Sequence, residues 1–84
     1  MKASVEISYY PLKEEYIPVI SDFLDRLKSY EELVIKVNTM STQVFGDYFR
    51  VMEVLTKEMH TSFRQPGSVF VLKVINACLA PEVK

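Results

Sequence analysis

The side chains that most often carry out catalysis or bind metals are scarce in this chain of 84 residues. The single histidine, His60, and the single cysteine, Cys78, lie in separate segments, whereas a zinc site needs a cluster of ligands. No serine stands in a Gly-x-Ser-x-Gly turn, and two glycines, Gly46 and Gly67, are too few for a phosphate-binding loop. We therefore predict no metal, no cofactor and no catalytic residue. We expect His60 to face solvent and Cys78 to be inert.

The charge and hydropathy patterns exclude several further classes of protein. The net charge is −1 and no basic block is present, so the chain lacks the basic face that nucleic-acid binding needs. The most apolar segment, 68–80, contains Lys73 and is too short to span a bilayer. The N-terminal residues alternate between polar and apolar, unlike a signal peptide. With a single cysteine there is no internal disulfide. We therefore predict a cytoplasmic protein that binds neither nucleic acid nor membrane.

Apolar periodicity predicts four strands and two helices. Alternation of period two indicates a strand, and apolar residues three and four positions apart indicate a helix. Turn-forming proline and glycine residues separate several of these segments. The predicted elements are, in order, strand 3–10, helix 14–28, strands 32–40 and 41–46, helix 48–63 and strand 68–76. Asp47 is expected to cap the second helix, and Pro81 to mark a loose tail.

This β-α-β-β-α-β order predicts an α+β fold of the ferredoxin-like type. Right-handed crossovers give a four-stranded antiparallel sheet with both helices on one face. The expected strand order is 4-1-3-2, which leaves strands 32–40 and 68–76 at the edges. The chain is predicted to be one domain, residues 1–84, with its core in residues 3–76.

The alternation along each strand assigns side chains to the two faces of the sheet. The residues expected to face the helices are Val5, Ile7, Tyr9, Val44, Phe70, Leu72 and Val74. The residues expected on the open face are Glu6, Ser8, Tyr10, Lys36, Asn38, Gln43, Phe45, Val69, Val71, Lys73 and Ile75. Because this open face mixes apolar with isolated polar residues, we expect another subunit, a ligand or both to cover it.

Two segments resemble the YkoF-like family and its relatives among small thiamine-binding proteins. The first, 7-ISYYPL-12, matches a strand that ends in Ser/Ala-x-Tyr-Pro-Leu/Met through Ser8, Tyr10, Pro11 and Leu12. The second, 36-KVNTMSTQVFGD-47, matches a hairpin whose second strand begins Ser/Gly-Thr and ends with glycine before the second helix. There the matching residues are Ser41, Thr42 and Gly46. The resemblance covers roughly residues 3–76.

The chain departs from this family at two points. Phe45 stands where many relatives carry a charged residue. The best-known member has two copies of the domain in one chain, whereas this chain has one, so domains could pair only between chains. The resemblance implies a ferredoxin-like domain that binds thiamine or its hydroxymethylpyrimidine part without catalysis, and that assembles by sheet packing into a homodimer or homotetramer.

A pocket for an aminopyrimidine needs aromatic surface and a few convergent polar groups. Tyr10 and Phe45 would supply the aromatic surface. The hydrogen-bonding residues would be Ser8, Asn38, Ser41, Thr42 and Gln43, and Glu6 or Asp47 would favour the cationic thiazolium. Other roles stay open: a place in a subunit interface for Tyr10, helix capping alone for Asp47, and bonds to the turn backbone alone for the hairpin residues.

Two other functions remain open from the sequence. The apolar open face also suits an interaction module without a small ligand, with Val69, Val71 and Ile75 as pure interface. A small ferredoxin-like enzyme that works without a metal is the weaker alternative, because the fold alone does not determine function.

Overall fold

The computed structural model describes residues 1–81. All six expected elements are present in the expected order. They are β1 (Lys2–Pro11), α1 (Tyr16–Lys28), β2 (Val34–Val37), β3 (Thr42–Asp47), α2 (Tyr48–Ser62) and β4 (Ser68–Ile75). No helix in this part of the chain is long and apolar enough to cross a membrane.

The four strands form one antiparallel sheet with the order β2-β3-β1-β4. The predicted ferredoxin-like fold is therefore confirmed, and β2 and β4 are its edge strands. β1 is central: it pairs Ile7 with Thr42 of β3 on one side and with Leu72 of β4 on the other. This register brings the hairpin that joins β2 to β3 beside the middle of β1.

One layer of apolar side chains fills the space between the sheet and the two helices. The sheet supplies Val5, Ile7 and Val44, the helices supply Phe23, Leu27, Val51, Val54 and Leu55, and Leu33 closes one end. Tyr9, Phe70 and Leu72 pack against this core as predicted. Val74 lies outside it, on the exposed end of β4. The assignment of the sheet faces by alternation is otherwise confirmed for these core-facing residues.

Both helices begin close to their expected positions. Asp47 caps α2 as predicted, because its Oδ2 accepts a hydrogen bond of 3.2 Å from the backbone N–H of Arg50. His60 is exposed on α2, as expected. Two members of the predicted apolar stripes, Ile17 of α1 and Phe63 after α2, are exposed instead of buried. Each lies at the end of its stripe, and Phe63 still meets the Phe70 ring edge to face with centroids 5.6 Å apart.

The loose tail that Pro81 was predicted to mark lies outside the described residues, whereas the residues between β4 and Pro81 are held against β1. We name residues 76–81 the C-terminal strap. The Ser4 hydroxyl donates a 2.6 Å hydrogen bond to the carbonyl of Ala77 and accepts one of 2.9 Å from the backbone N–H of Leu79. Ala80 is buried. One buried hydroxyl on β1 therefore fixes the strap with both its donor and its acceptor.

A polar cluster joins α1 to α2 beside the apolar core. Arg26 donates from Nε to Glu58 Oε1 at 2.8 Å and from Nη2 to the Ser62 hydroxyl at 2.6 Å. Its Nη1 contacts Asp22, and the Tyr30 hydroxyl donates to the other carboxylate oxygen of Glu58. Glu58 is buried, and both of its oxygens have partners. The sequence reasoning missed this cluster.

We expect Tyr30 to contribute to a loss of stability at alkaline pH. Its hydrogen bond to Glu58, together with burial, raises the pKa of Tyr30. The folded state therefore holds this proton more tightly than the unfolded state does. The resulting stabilisation is complete below the unfolded pKa of about 10 and is lost as the pH rises through the higher folded pKa.

Urea unfolding at a series of alkaline pH values measures this effect. Tyr30→Phe, which cannot ionise, should show a shallower alkaline decline of the unfolding free energy than the unmutated chain. Tyr16→Phe, at an exposed tyrosine, is the matched control. An equally shallow decline in the control would contradict the assignment to Tyr30.

Candidate ligand-binding site

A pocket of about 120 Å³ opens between α1 and the β2–β3 hairpin, on the helix side of the sheet. We name it the hairpin pocket. Its apolar wall comprises Ile7, Tyr9, Ile20, Phe23 and Leu24, and the hairpin contributes Val37, Asn38, Thr39, Met40, Ser41 and Thr42. None of these described lining residues carries a formal charge. The pocket therefore suits an uncharged ring that meets a polar rim.

The hairpin turn determines where its polar side chains lie. β2 ends at Val37, and the backbone N–H of Asn38 donates a 2.8 Å hydrogen bond to the carbonyl of Ser41. β3 then begins at Thr42, which is buried opposite Ile7 of β1. Three polar residues, Asn38, Ser41 and Thr42, consequently line one pocket, although the Ser41 hydroxyl itself bonds to Glu6. Asn38 was expected on the open face of the sheet. That prediction was wrong, because β2 ends at Val37 and the alternation of side chains between the two faces stops there.

Tyr9 gives the pocket a fixed aromatic wall. Its ring stacks on Phe70 with centroids 4.2 Å apart and meets the edge of Phe23 at 5.4 Å. Its hydroxyl lies 2.9 Å from the Ser68 hydroxyl, at hydrogen-bonding distance. Because the hydroxyl already has this partner, Tyr9 offers a ligand its ring rather than a hydrogen bond.

A second pocket of about 140 Å³ lies on the opposite face of the sheet, beneath the C-terminal strap. We name it the strap pocket. Gln43, Glu6 and Lys73 line it from three adjacent strands, Phe45 and Ile75 form apolar surface, and Leu79 of the strap lies over it. Phe45 projects to the open face as expected, yet it is only 4% exposed. Part of the open face is therefore covered by the chain itself.

The seven residues predicted to bind ligand do not form one site. Asn38, Ser41 and Thr42 line the hairpin pocket, whereas Gln43 and Phe45 line the strap pocket. Ser8 and Tyr10 lie on the part of the open face beyond the strap and line neither pocket. The hydroxyl of Ser41 donates a 3.1 Å hydrogen bond to Glu6 Oε2. This bond links the rim of the hairpin pocket to a residue of the strap pocket.

The two acidic residues considered for a thiazolium also lie apart. Asp47 caps α2 and contacts the N-terminal amine at 3.7 Å, far along β3 from the hairpin. Glu6 lines the strap pocket, where its Oε1 lies 3.7 Å from the amine of Lys73. The lining residues that sequence reasoning missed, Thr39 and Met40, form the tip of the turn. The sequence could have indicated them, because they stand between two predicted ligand residues, Asn38 and Ser41.

The size of the hairpin pocket limits what it can enclose. Sites for drug-sized ligands usually measure about 300–1,000 Å³. An apolar cavity of about 150 Å³ is known to hold one benzene molecule. At about 120 Å³, the hairpin pocket matches a single six-membered ring and leaves larger groups outside.

Comparison with known proteins identifies the fold alone. No protein-family model matches the chain, and no curated protein matches it significantly in sequence. Among solved structures, protein SP2199 of Streptococcus pneumoniae superposes with a TM-score of 0.85 at 21% identity, covering 94% of this chain and 90% of its own.

Two further structures show how widely this fold is shared. A Thermotoga maritima protein named for a candidate role in thiamine biosynthesis or salvage has a TM-score of 0.85 at 18% identity, covering 98% of this chain and 92% of its own. A de novo designed protein, Foldit4, has a TM-score of 0.62 at 12% identity, covering 92% and 99%. Since a designed protein shares the architecture, the function has to be argued from the pockets.

Proposed function

We propose that this chain is a non-catalytic small-molecule binding protein of the YkoF-like type, whose ligand is thiamine or its hydroxymethylpyrimidine part. The observation that supports this most is the convergence of Asn38, Ser41 and Thr42 on the hairpin pocket. All three were predicted as ligand residues from the sequence. The name of the Thermotoga maritima structure points to the same chemistry.

The pocket fits the pyrimidine better than the whole vitamin. An aminopyrimidine has a flat apolar face and an edge of donors and acceptors. The Tyr9 ring and the α1 side chains suit that face, and the Thr42 hydroxyl and the Asn38 amide suit that edge. The thiazolium would remain outside, where no described lining residue offers it an opposite charge. Hydroxymethylpyrimidine should therefore bind within about tenfold of thiamine.

Isothermal titration with thiamine, its phosphates and hydroxymethylpyrimidine tests the proposal. Thr42→Val keeps the shape of the side chain but removes its hydroxyl, and it should weaken binding about 2–10-fold, as expected for one hydrogen bond. Asn38→Ala should act in the same direction. Thr56→Val, at an exposed position of α2, is the matched control and should bind normally.

The same proposal predicts what the protein contains when purified. Mass spectrometry after denaturation should detect a bound pyrimidine in protein isolated from cells. If titration with millimolar concentrations of all these ligands gave neither heat nor a thermal shift, the proposal would fail. A cytoplasmic location and a role in thiamine transport, salvage or regulation belong to the same proposal.

A further inference from the structure

The strap pocket is built from two independent parts of the chain. Its floor is the sheet, where Glu6 of β1 stands opposite Gln43 of β3 and Lys73 of β4. Its cover is the strap, which the Ser4 hydroxyl fixes through two hydrogen bonds. Leu79 overlies the pocket while remaining 66% exposed. At about 140 Å³, the space is close to the volume of a cavity of about 150 Å³ that holds one benzene molecule.

The three polar side chains that cross this floor, Gln43, Glu6 and Lys73, differ in whether they donate or accept hydrogen bonds. The Glu6 carboxylate accepts, the Lys73 amine donates, and the Gln43 amide can do both. The ion pair of Glu6 with Lys73 is long, at 3.7 Å, and its lysine is mostly exposed. Exposed pairs of this kind contribute little stability. A ligand can therefore displace Lys73 from Glu6 at small cost.

We propose that the strap pocket is a second small-ligand site, which takes a neutral six-membered heteroaromatic ring bearing an amino group beside a ring nitrogen. The ring lies between the apolar surfaces of Phe45 and Leu79. Its amino group donates to Glu6, and its ring nitrogen accepts from Gln43 or Lys73. Because this pocket and the hairpin pocket lie on opposite faces of the sheet, one chain binds two rings.

Titration of the full chain with cytosine, followed by amide proton–nitrogen NMR, tests this site directly. Cytosine has the required amino group beside a ring nitrogen, and uracil is the matched probe without the amino group. Cytosine should give saturable shifts at the amides of Gln43, Phe45 and Leu79. Uracil should bind at least about tenfold more weakly there, because it places a carbonyl oxygen against the Glu6 carboxylate where cytosine has its amino donor, and an N–H where cytosine has its acceptor nitrogen.

Two surface variants separate binding from folding. Leu79→Ala removes the cover of the pocket and should weaken cytosine binding about threefold to tenfold. Leu12→Ala, at a leucine of similar exposure (69%) outside both pockets, should leave it unchanged. Glu6→Gln should also weaken cytosine binding and reduce the preference over uracil.

Three results would overturn the site. The first is saturable shifts at the hairpin residues alone, which would leave the proposed function standing. The second is strap shifts that neither Leu79→Ala nor Glu6→Gln alters. The third is strap shifts that follow protein concentration and not cytosine, because a second copy of the chain would then occupy the surface. Loss of hydroxymethylpyrimidine binding at the hairpin would instead count against the proposed function.

Discussion

Replacing Arg26 by methionine should destabilise the fold by about 3–5 kcal/mol, because the substitution leaves a buried carboxylate without its cation. Arg26 approaches Glu58 to 2.8 Å, and only 7% of the Glu58 side chain is exposed. Methionine retains the apolar stem that packs between the helices, so the loss should come from charge and hydrogen bonds. Total stability for a chain of this length is about 4–13 kcal/mol, which makes this a large fraction of it.

Thermal and urea unfolding measure the effect. The melting temperature of a domain this small should fall by about 4–8 °C for each kcal/mol lost. Arg50→Met is the matched control, because Arg50 also contacts two carboxylates, those of Glu32 and Glu53, but on the exposed surface of α2. It should cost at most about 1 kcal/mol.

A double variant distinguishes the charge from the packing. Adding Glu58→Met to Arg26→Met removes the orphaned carboxylate and should recover most of the lost stability, since buried ion pairs can be replaced by apolar pairs with little loss. A cost for Arg26→Met no greater than that for Arg50→Met would refute the argument. So would a double variant that is less stable than Arg26→Met alone.

The sequence predicted most of the fold because its core depends on short-range patterns. Val5, Ile7 and Tyr9 alternate on β1 and do face the helices, and Asp47 immediately precedes α2 as its cap. The Arg26–Glu58 cluster is indicated less clearly by the sequence. Glu58 lies three residues after Leu55 and therefore on the apolar stripe of α2. A charged residue on such a stripe calls for a buried partner.

The candidate site was predictable only in part, because its geometry depends on turns and long-range contacts. Alternation placed Asn38 on the open face, but this residue lies in the turn after Val37 and lines the hairpin pocket on the helix side. The two hydrogen bonds of the Ser4 hydroxyl, one donated and one accepted, join residues more than 70 positions apart. No local pattern indicates such a pair, so neither the strap nor the burial of Phe45 could be anticipated.

We propose that the uncovered part of the open face mediates self-association. Tyr10, Val69 and Val71 remain exposed there, beyond the strap. β4 carries two of them and is an edge strand, a place where natural proteins seldom leave apolar surface unpaired. Because Phe45 is only 4% exposed within a single chain, that residue is not available to the interface as first expected. At micromolar concentration the chain should have at least twice the 9.7 kDa mass of one copy.

Val71→Asp should dissociate this assembly. A carboxylate buried without a partner costs about 3–5 kcal/mol, and a two-fold symmetric interface contains the substitution twice. The dissociation constant should therefore rise by at least about a hundredfold, since each 1.4 kcal/mol or so is a factor of ten. Size exclusion coupled to light scattering gives the mass directly. A mass of 9.7 kDa for the unmutated chain would contradict self-association altogether.

Val74→Asp is the matched control that identifies the surface used. Val74 lies on the same strand and is 47% exposed, close to the 51% of Val71, but its side chain projects from the other face of the sheet. If two copies pack face to face, only Val71→Asp should dissociate them. If they instead join their β4 edges into one continuous sheet, both side chains would flank the new strand pair. The two variants should then weaken the assembly to a similar extent, and the proposed face would be the wrong surface.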